Sequence, residues 1–264
     1  MAIRAVLFDL GNTLLFPAHS PDDRLYERME ERVRPLIERW SSRPHDVLAL
    51  LRDLYDAVGT AQPERRAQGY EVDGPFIARG ALSAHDVDVS EEQARAFWRA
   101  SFVGLAARGW QLFPDALDSL RRLRDLSIPA ALVSNGIYTS DLIRADLATF
   151  GIGDDLLPVQ VTSPDLMQPK PDAAIFRRAL DALAVAPHEA AHIGDSLEAD
   201  VRGAKALGLT TVLKLNGRHE VPEEADADYT IHDLWELFGL GLFGGSTPFV
   251  ESLTPHEDGN ADRY

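Results

Sequence analysis

The chain alternates short apolar runs with longer amphipathic stretches over its first 16 residues and again from about residue 112 to 240. Runs of that length, rich in branched side chains and closed by glycine or polar turns, predict buried strands near Ala5–Phe8, Ala130–Val133, Val159–Val161, Ala191–Ile193, Thr210–Leu213 and Tyr229–Ile231. The stretches between them carry apolar positions at helical spacing: Asp115–Leu126, Ser140–Phe150, Asp172–Leu183, Leu197–Leu207 and Asp233–Phe238. Gly151 and Gly208 stand where helix-ending glycines are placed. Strand and helix in alternation predict an α/β fold, a doubly wound Rossmann-like parallel sheet covered on both faces.

Residues 17–111 break that rhythm. Leu25, Met29, Val33, Leu36, Ile37 and Trp40 form one helical stripe, and Val47, Leu48, Leu51, Leu54, Tyr55 and Val58 form another. Ser90 with Gln93 reads as a capping box before a helix carrying Ala94, Phe97, Trp98, Phe102 and Leu105. The expectation is an all-helical insertion over 17–111, splitting a core made of 1–16 and 112–240. Beyond Leu242, Gly244-Gly245-Ser246-Thr247-Pro248 opens a polar stretch without periodicity, so 241–264 is expected to be a mobile tail.

Charge and composition narrow the partners. With 42 acidic against 26 basic residues the formal net charge is −16. That balance argues against nucleic acid or an anionic membrane as partner, because both require basic residues to displace counterions. The absence of cysteine excludes disulfides and thiolate chemistry, and it fits a cytoplasmic location. Nowhere do about 18 apolar residues run together, the length that spans a bilayer. The expected partner is a small molecule, and the expected state a soluble monomer or homodimer.

Several predicted strands end on chemistry. Ala5-Val6-Leu7-Phe8 runs into Asp9-Leu10-Gly11-Asn12-Thr13, Ala130–Val133 into Ser134-Asn135-Gly136, and Ala191–Ile193 into Gly194-Asp195-Ser196 with Asp200 beyond. Pro169 and Pro171 bracket Lys170 and restrict its backbone. Open α/β sheets bind ligands at the carboxyl ends of their strands, which is where these groups fall. Asp195 and Asp200 offer the hard oxygens that Mg²⁺ prefers. Read singly, each has a plainer reading: an aspartate before glycine is often a turn cap, Ser-Asn-Gly is a common turn, and most lysines are solvated.

In this order the four segments resemble the haloacid dehalogenase superfamily, most of whose members are magnesium-dependent phosphatases. The resemblance covers roughly residues 1–240 and implies that the helical insertion is a cap over the strand ends. It implies that Asp9 attacks phosphorus to form an aspartyl-phosphate, with Ser134 and Lys170 binding the phosphoryl group. It further implies that Asn12, Thr13, Asn135 and Gly136 line the phosphate site. Mg²⁺ would be held by Asp9, the backbone carbonyl of Gly11, and Asp195, with Asp200 a direct or an outer ligand. The expected substrate is a small phosphorylated metabolite, chosen by cap residues such as Glu71–Leu82 with their Gly74-Pro75 turn.

One position departs from the family. Two residues after the nucleophile the phosphatases usually carry an aspartate that protonates the leaving group, and here it is Gly11. A cap side chain such as His19, Tyr26, His45 or His85 could supply the proton, or the substrate could have a good leaving group. The alternative is a catalytically weak member that binds a phosphometabolite or a protein partner. A metal-free dehalogenase fits less well because of Gly194-Asp195-Ser196 and Asp200. A carbon–phosphorus hydrolase needs a cap lysine, and residues 16–112 contain none.

Overall fold

The computed structural model describes residues 2–216 and 225–244. Six parallel strands form the main sheet: β1 (Ala5–Phe8), β4 (Ala130–Ser134), β5 (Val159–Thr162), β6 (Ala190–Gly194), β7 (Thr210–Lys214) and β8 (Tyr229–Ile231), in the order β5-β4-β1-β6-β7-β8. After β1 the chain builds outward through β4 and β5, then returns to lay β6 on the other side of β1. The strand order therefore reverses at β1, and a crevice opens at its carboxyl end.

Burial on both sides explains why β1 is apolar at every position instead of alternating. Val6 and Phe8 enter one hydrophobic core, while Ala5 and Leu7 enter the other. On the first side lie Ala116, Leu120 and Leu123 of α5 (Ala116–Asp125) and Ile143 and Leu147 of α6 (Ser140–Leu147). Ile175, Phe176, Ala179 and Leu180 of α8 (Ala173–Leu183) cover the second. Between β5 and α8 runs the short α7 (Ser163–Leu166).

Three helices end or wind differently from the sequence expectation. The stretch expected over Ser140–Phe150 is α-helical only to Leu147, tightens to a 3₁₀ turn at Ala148–Phe150, and stops at Gly151 with φ 82°. Leu234–Gly239 is 3₁₀ throughout. Leu197–Arg202 is a π-helical turn that passes into α9 (Gly203–Lys205). Such wide turns cluster at functional sites, and this one carries Asp200 into the crevice.

The insertion is a ring of four helices: α1 (Leu25–Trp40), α2 (Val47–Ala67), α3 (Gly74–Ala84) and α4 (Glu91–Ala100). Met29, Val33, Ile37, Leu50, Leu51, Leu54, Leu82 and Phe97 fill its interior. Ser90 and Gln93 make the expected reciprocal capping box, and Asp46 and Asp73 cap α2 and α3 through the N–H groups of Ala49 and Phe76. Two features differ from the sequence reading. Gly74-Pro75 starts α3 instead of forming a free turn, proline being suited to the first helical turn. The chain also crosses between insertion and core through a short antiparallel pair, β2 (Leu15–Pro17) with β3 (Trp110–Leu112).

At the other end of the described residues, Leu242 is buried, its carbonyl accepts from Ile3 N–H at 2.8 Å, and Phe243 packs against the same core. The remainder of the expected tail, 245–264, lies outside the described residues.

Buried Lys214, at the end of β7, has its Nζ 3.0 Å from Asn216 Oδ1 and over the Phe113 ring. Burial pushes its ammonium down to about 8, against the pull of Asp115, Asp233 and Asp195. Below pH 8 the full cost of burying the charge is carried, and between about 8 and the ordinary lysine value it fades as the folded lysine loses its proton first. Lys214→Met should therefore raise the melting temperature at pH 7, with the gain shrinking as pH climbs from 8 toward 10. A gain that is constant with pH would contradict this account.

Candidate active site

Asp9 leaves β1 at the crevice, anchored by a 2.9 Å bond from its N–H to the Ile193 carbonyl. Lys170 arrives from the loop between α7 and α8. Its Nζ donates to Asp9 Oδ1 and to Asp200 Oδ1, each at 2.6 Å, and the lysine is buried. Asp200 is held from further sides: His192 Nε2 lies 2.9 Å from Oδ1, and Ser196 N–H donates to Oδ2 at 3.0 Å. A Cβ on Gly194 would sit 2.2 Å from Asp200 Cγ, so only glycine lets that carboxylate approach the strand end. Asp195 lies beside them, half-buried, and one oxygen from each of Asp9, Asp195 and Asp200 falls within 4.8 Å of the others.

Three carboxylates thus gather here, and two of them hold the lysine. Burial raises the Asp9 carboxyl above its ordinary range, Lys170 pulling against that rise and Asp200 adding to it. Burial also works against charge on Asp200, but Lys170 and His192 outweigh it and hold that group well below the usual carboxylate range. On Lys170, burial opposes the charge, and Asp200 and Asp9 prevail and raise it. A cluster of hard oxygens with more negative than positive charge fits a divalent cation such as Mg²⁺.

The Ser134–Gly136 loop borders the crevice after β4. Ser134 is buried, its Oγ 3.4 Å from the Asn135 carbonyl. Asn135 turns its amide to the lysine loop instead: Nδ2 donates to the Lys170 carbonyl at 3.0 Å and Oδ1 accepts from Lys170 N–H at 2.7 Å. The sequence reading placed Asn135 in the phosphate site, and the structure adds that its side chain holds the backbone of Lys170. Gly136 N–H is likewise engaged, donating to Ser163 Oγ at 3.0 Å. In the Asp9 loop, Thr13 is fully buried and its hydroxyl has no partner among the described residues. Asn12 takes a left-handed conformation, φ 57°, its side chain exposed and its carbonyl accepting from Asn216 Nδ2.

Glu71, within the segment expected to set specificity, has one partner nearby in sequence and one far from it. Its buried carboxylate accepts from Ser163 Oγ at 2.6 Å and from both Nε and Nη2 of Arg66, while Arg66 Nη2 also reaches the Gly136 carbonyl at 3.3 Å. The helical insertion is thereby bonded to the loop that carries Ser134. A second joint is aromatic: Tyr138 stacks on Trp98, its hydroxyl meets that of Tyr55, and Arg108 Nη2 donates to both phenol oxygens.

The four proposed proton donors are engaged elsewhere or exposed. His45 pairs with Ser41, His85 with Asp53, Tyr26 packs edge-on against Tyr55, and His19 is exposed. Next to Gly11 stands Trp110, whose Cη2 and Cζ3 atoms would lie 3.3 and 3.5 Å from a Cβ at position 11.

Among the described residues no helix is long and apolar enough to cross a membrane. The haloacid dehalogenase-like hydrolase family profile matches residues 3–208. The chain is 36% identical over 242 residues to the phosphoserine phosphatase of Thermus thermophilus, covering 89% of this chain and 90% of that protein. It is 27% identical over 235 residues to the glyceraldehyde 3-phosphate phosphatase of Methanopyrus kandleri, covering 86% and 90%. Among solved structures it is similar to a HAD phosphatase from Thermococcus onnurineus, with a TM-score of 0.53, 25% identity, and coverage of 90% of this chain and 97% of that one.

Proposed function

The chain belongs to the haloacid dehalogenase-like hydrolases, and from that premise we propose that it is a phosphoric monoester hydrolase, a magnesium-dependent phosphatase of small phosphorylated metabolites. The observation that carries this reading is the group of Asp9, Asp195 and Asp200, two of them bonded to Lys170, at the carboxyl end of the central strands where strand order reverses. The phosphatase activity of the similar proteins from Thermus thermophilus and Methanopyrus kandleri supports it. A weak, merely binding member is not favoured, because a scaffold has no use for a buried carboxylate beside a buried lysine and two more carboxylates.

Asp9 is the nucleophile. One of its oxygens forms a bond to phosphorus while the bond from phosphorus to the ester oxygen breaks, and the electron pair leaves with that oxygen. Water then releases phosphate from the aspartyl-phosphate. Lys170, released from its Asp9 contact as phosphate enters, neutralises a phosphoryl oxygen and stays oriented by Asp200 and Asn135. The Ser134 hydroxyl and the unpartnered Thr13 hydroxyl supply hydrogen bonds in the same crevice. Asp9, Asp195 and the Gly11 carbonyl would hold Mg²⁺, with Asp200, its oxygens already occupied, fixing Lys170 and acting outside the ion's immediate ligands. Bound there, Mg²⁺ cancels the repulsion between a carboxylate nucleophile and an anionic phosphate.

Phosphate release from a panel of phosphometabolites, with and without Mg²⁺, tests the activity. Release that requires Mg²⁺ is expected, and equal release in excess chelator would overturn the metal assignment. Asp195→Asn should raise the Mg²⁺ concentration for half-maximal activity by about tenfold or more, since outer changes to a metal site already cost that much. An unshifted requirement would remove Asp195 from the site.

A further inference from the structure

Position 11 is glycine, yet its backbone does not demand one: Gly11 is absent from the residues with left-handed φ. What restricts it is space. A Cβ there would meet Trp110 Cη2 at 3.3 Å, tighter than ordinary van der Waals contact, and no other group among the described residues lies within 4 Å. The six-membered edge of the indole therefore fills the volume above the residue two places beyond Asp9.

Trp110 is firmly placed. It lies on β3 opposite Pro17 of β2, and its N–H donates to the Leu105 carbonyl at 3.1 Å. Gly109 before it is left-handed, φ 86°, and a Cβ there would fall 2.1 Å from the His19 carbonyl oxygen, so the approach to β3 is fixed on both sides. The indole is half-buried, leaving part of its surface open. In a displacement at phosphorus the attacking and leaving oxygens stand in line. With Asp9 at the strand end, a leaving group in line with it departs away from the sheet, and Trp110 stands on the Asp9 loop beside Gly11.

We propose that Trp110 is a specificity-determining wall for the leaving group, and that the enzyme selects phosphate esters and anhydrides whose leaving group is flat and departs as a stabilised anion: aryl, enol or acyl. This rests on the phosphatase reading above and deepens it. The groups facing Gly11 are ring carbons, which cannot donate a proton. The phosphorus–oxygen bond therefore breaks with the electron pair and negative charge staying on the leaving oxygen, which is protonated afterwards by solvent. Unassisted departure costs a factor of about 10²–10⁴ for poor leaving groups, so acidity of the leaving group sets the rate. A flat group also gains by stacking on the indole.

Binding of two non-hydrolysable probes, phenylphosphonate and methylphosphonate, in Mg²⁺ by calorimetry tests the wall without relying on turnover. The wild type should prefer the phenyl probe. Trp110→Ala should lower the ratio of the two affinities about tenfold, the equivalent of about 1.4 kcal/mol, and Trp110→Phe should retain most of it. An unchanged ratio, or a wild type that does not favour the phenyl probe, overturns the proposal. Turnover supplies the second arm. Gly11→Asp alone should lose activity because its side chain meets the indole, and Gly11→Asp with Trp110→Ala should recover it and gain alkyl phosphates. A single Gly11→Asp variant that gains alkyl phosphates would show that the indole does not hold the space. Loss of the phosphatase reading itself would look different: normal phosphonate preference, but no Asp9-dependent phosphate release from any ester.

Discussion

Asp9→Asn should abolish phosphate release and leave a folded protein. The amide keeps the shape of the carboxylate, and its oxygen can still accept from Lys170, which stays paired with Asp200 at 2.6 Å. What disappears is the negative charge that attacks phosphorus, and nothing nearby replaces it. Asp195 is a half-buried carboxylate close by, but it belongs to a different strand end. Loss of a nucleophile in a covalent mechanism costs at least about 10³-fold in turnover. Burial already raises the Asp9 carboxyl, so removing its charge relieves an electrostatic cost, and thermal stability should hold or rise. Steady-state phosphate release and a melting curve on the same preparation check both halves. Activity above about 1% of wild type would rule out Asp9 as nucleophile, and loss of folding would show that its charge is structural.

The parts of the molecule legible in the sequence were those whose cause is local. β1 reads as a strand because it is apolar on both faces, and Ser90 with Gln93 reads as a cap because the two residues bond within one turn. Asp9, Asp195 and Lys170 were visible because strand ends and bracketing prolines mark them. The structure adds what depends on distant neighbours. Glu71 bonds Ser163 across 92 residues, and nothing near Glu71 in the chain announces that partner. Nothing in the sequence marked Trp110, which the β2–β3 pair lays beside Gly11. The missing aspartate at position 11 was plain in the sequence, but the indole that lies 3.3 Å from where its Cβ would stand was not. The bonds from the Asn135 side chain to the backbone of Lys170, 35 residues away, were hidden for a related cause. The π-helical turn at Leu197 carries Asp200 to Lys170, His192 and Ser196, partners that local periodicity does not reveal.

Lys170→Met should cost activity and stability together, with the stability loss depending on pH in a direction that identifies its cause. The methionine fills the space of the lysine stem but leaves Asp9 and Asp200 buried without their shared cation. Removing one partner of a buried ion pair costs about 3–5 kcal/mol, because the remaining charge is stranded. Turnover should fall about 10²–10³-fold, the usual effect of deleting a positioned electrostatic group. In the wild type, Asp200 is held below its ordinary value, so its contribution is present above about pH 4 and is lost as pH falls below it. In the variant, both carboxyls should titrate above their unfolded values. The folded state then takes up protons that the unfolded chain does not, and its stability should rise as pH is lowered from 7 toward 5. Mg²⁺ should act in the same sense at pH 7 by supplying the missing positive charge. Denaturant unfolding at pH 5 and 7, with and without Mg²⁺, reads all of this in one set of curves. A deficit relative to wild type that is the same at both pH values and indifferent to Mg²⁺ would mean that the lysine contributes packing alone, and the charge balance drawn for the crevice would be wrong.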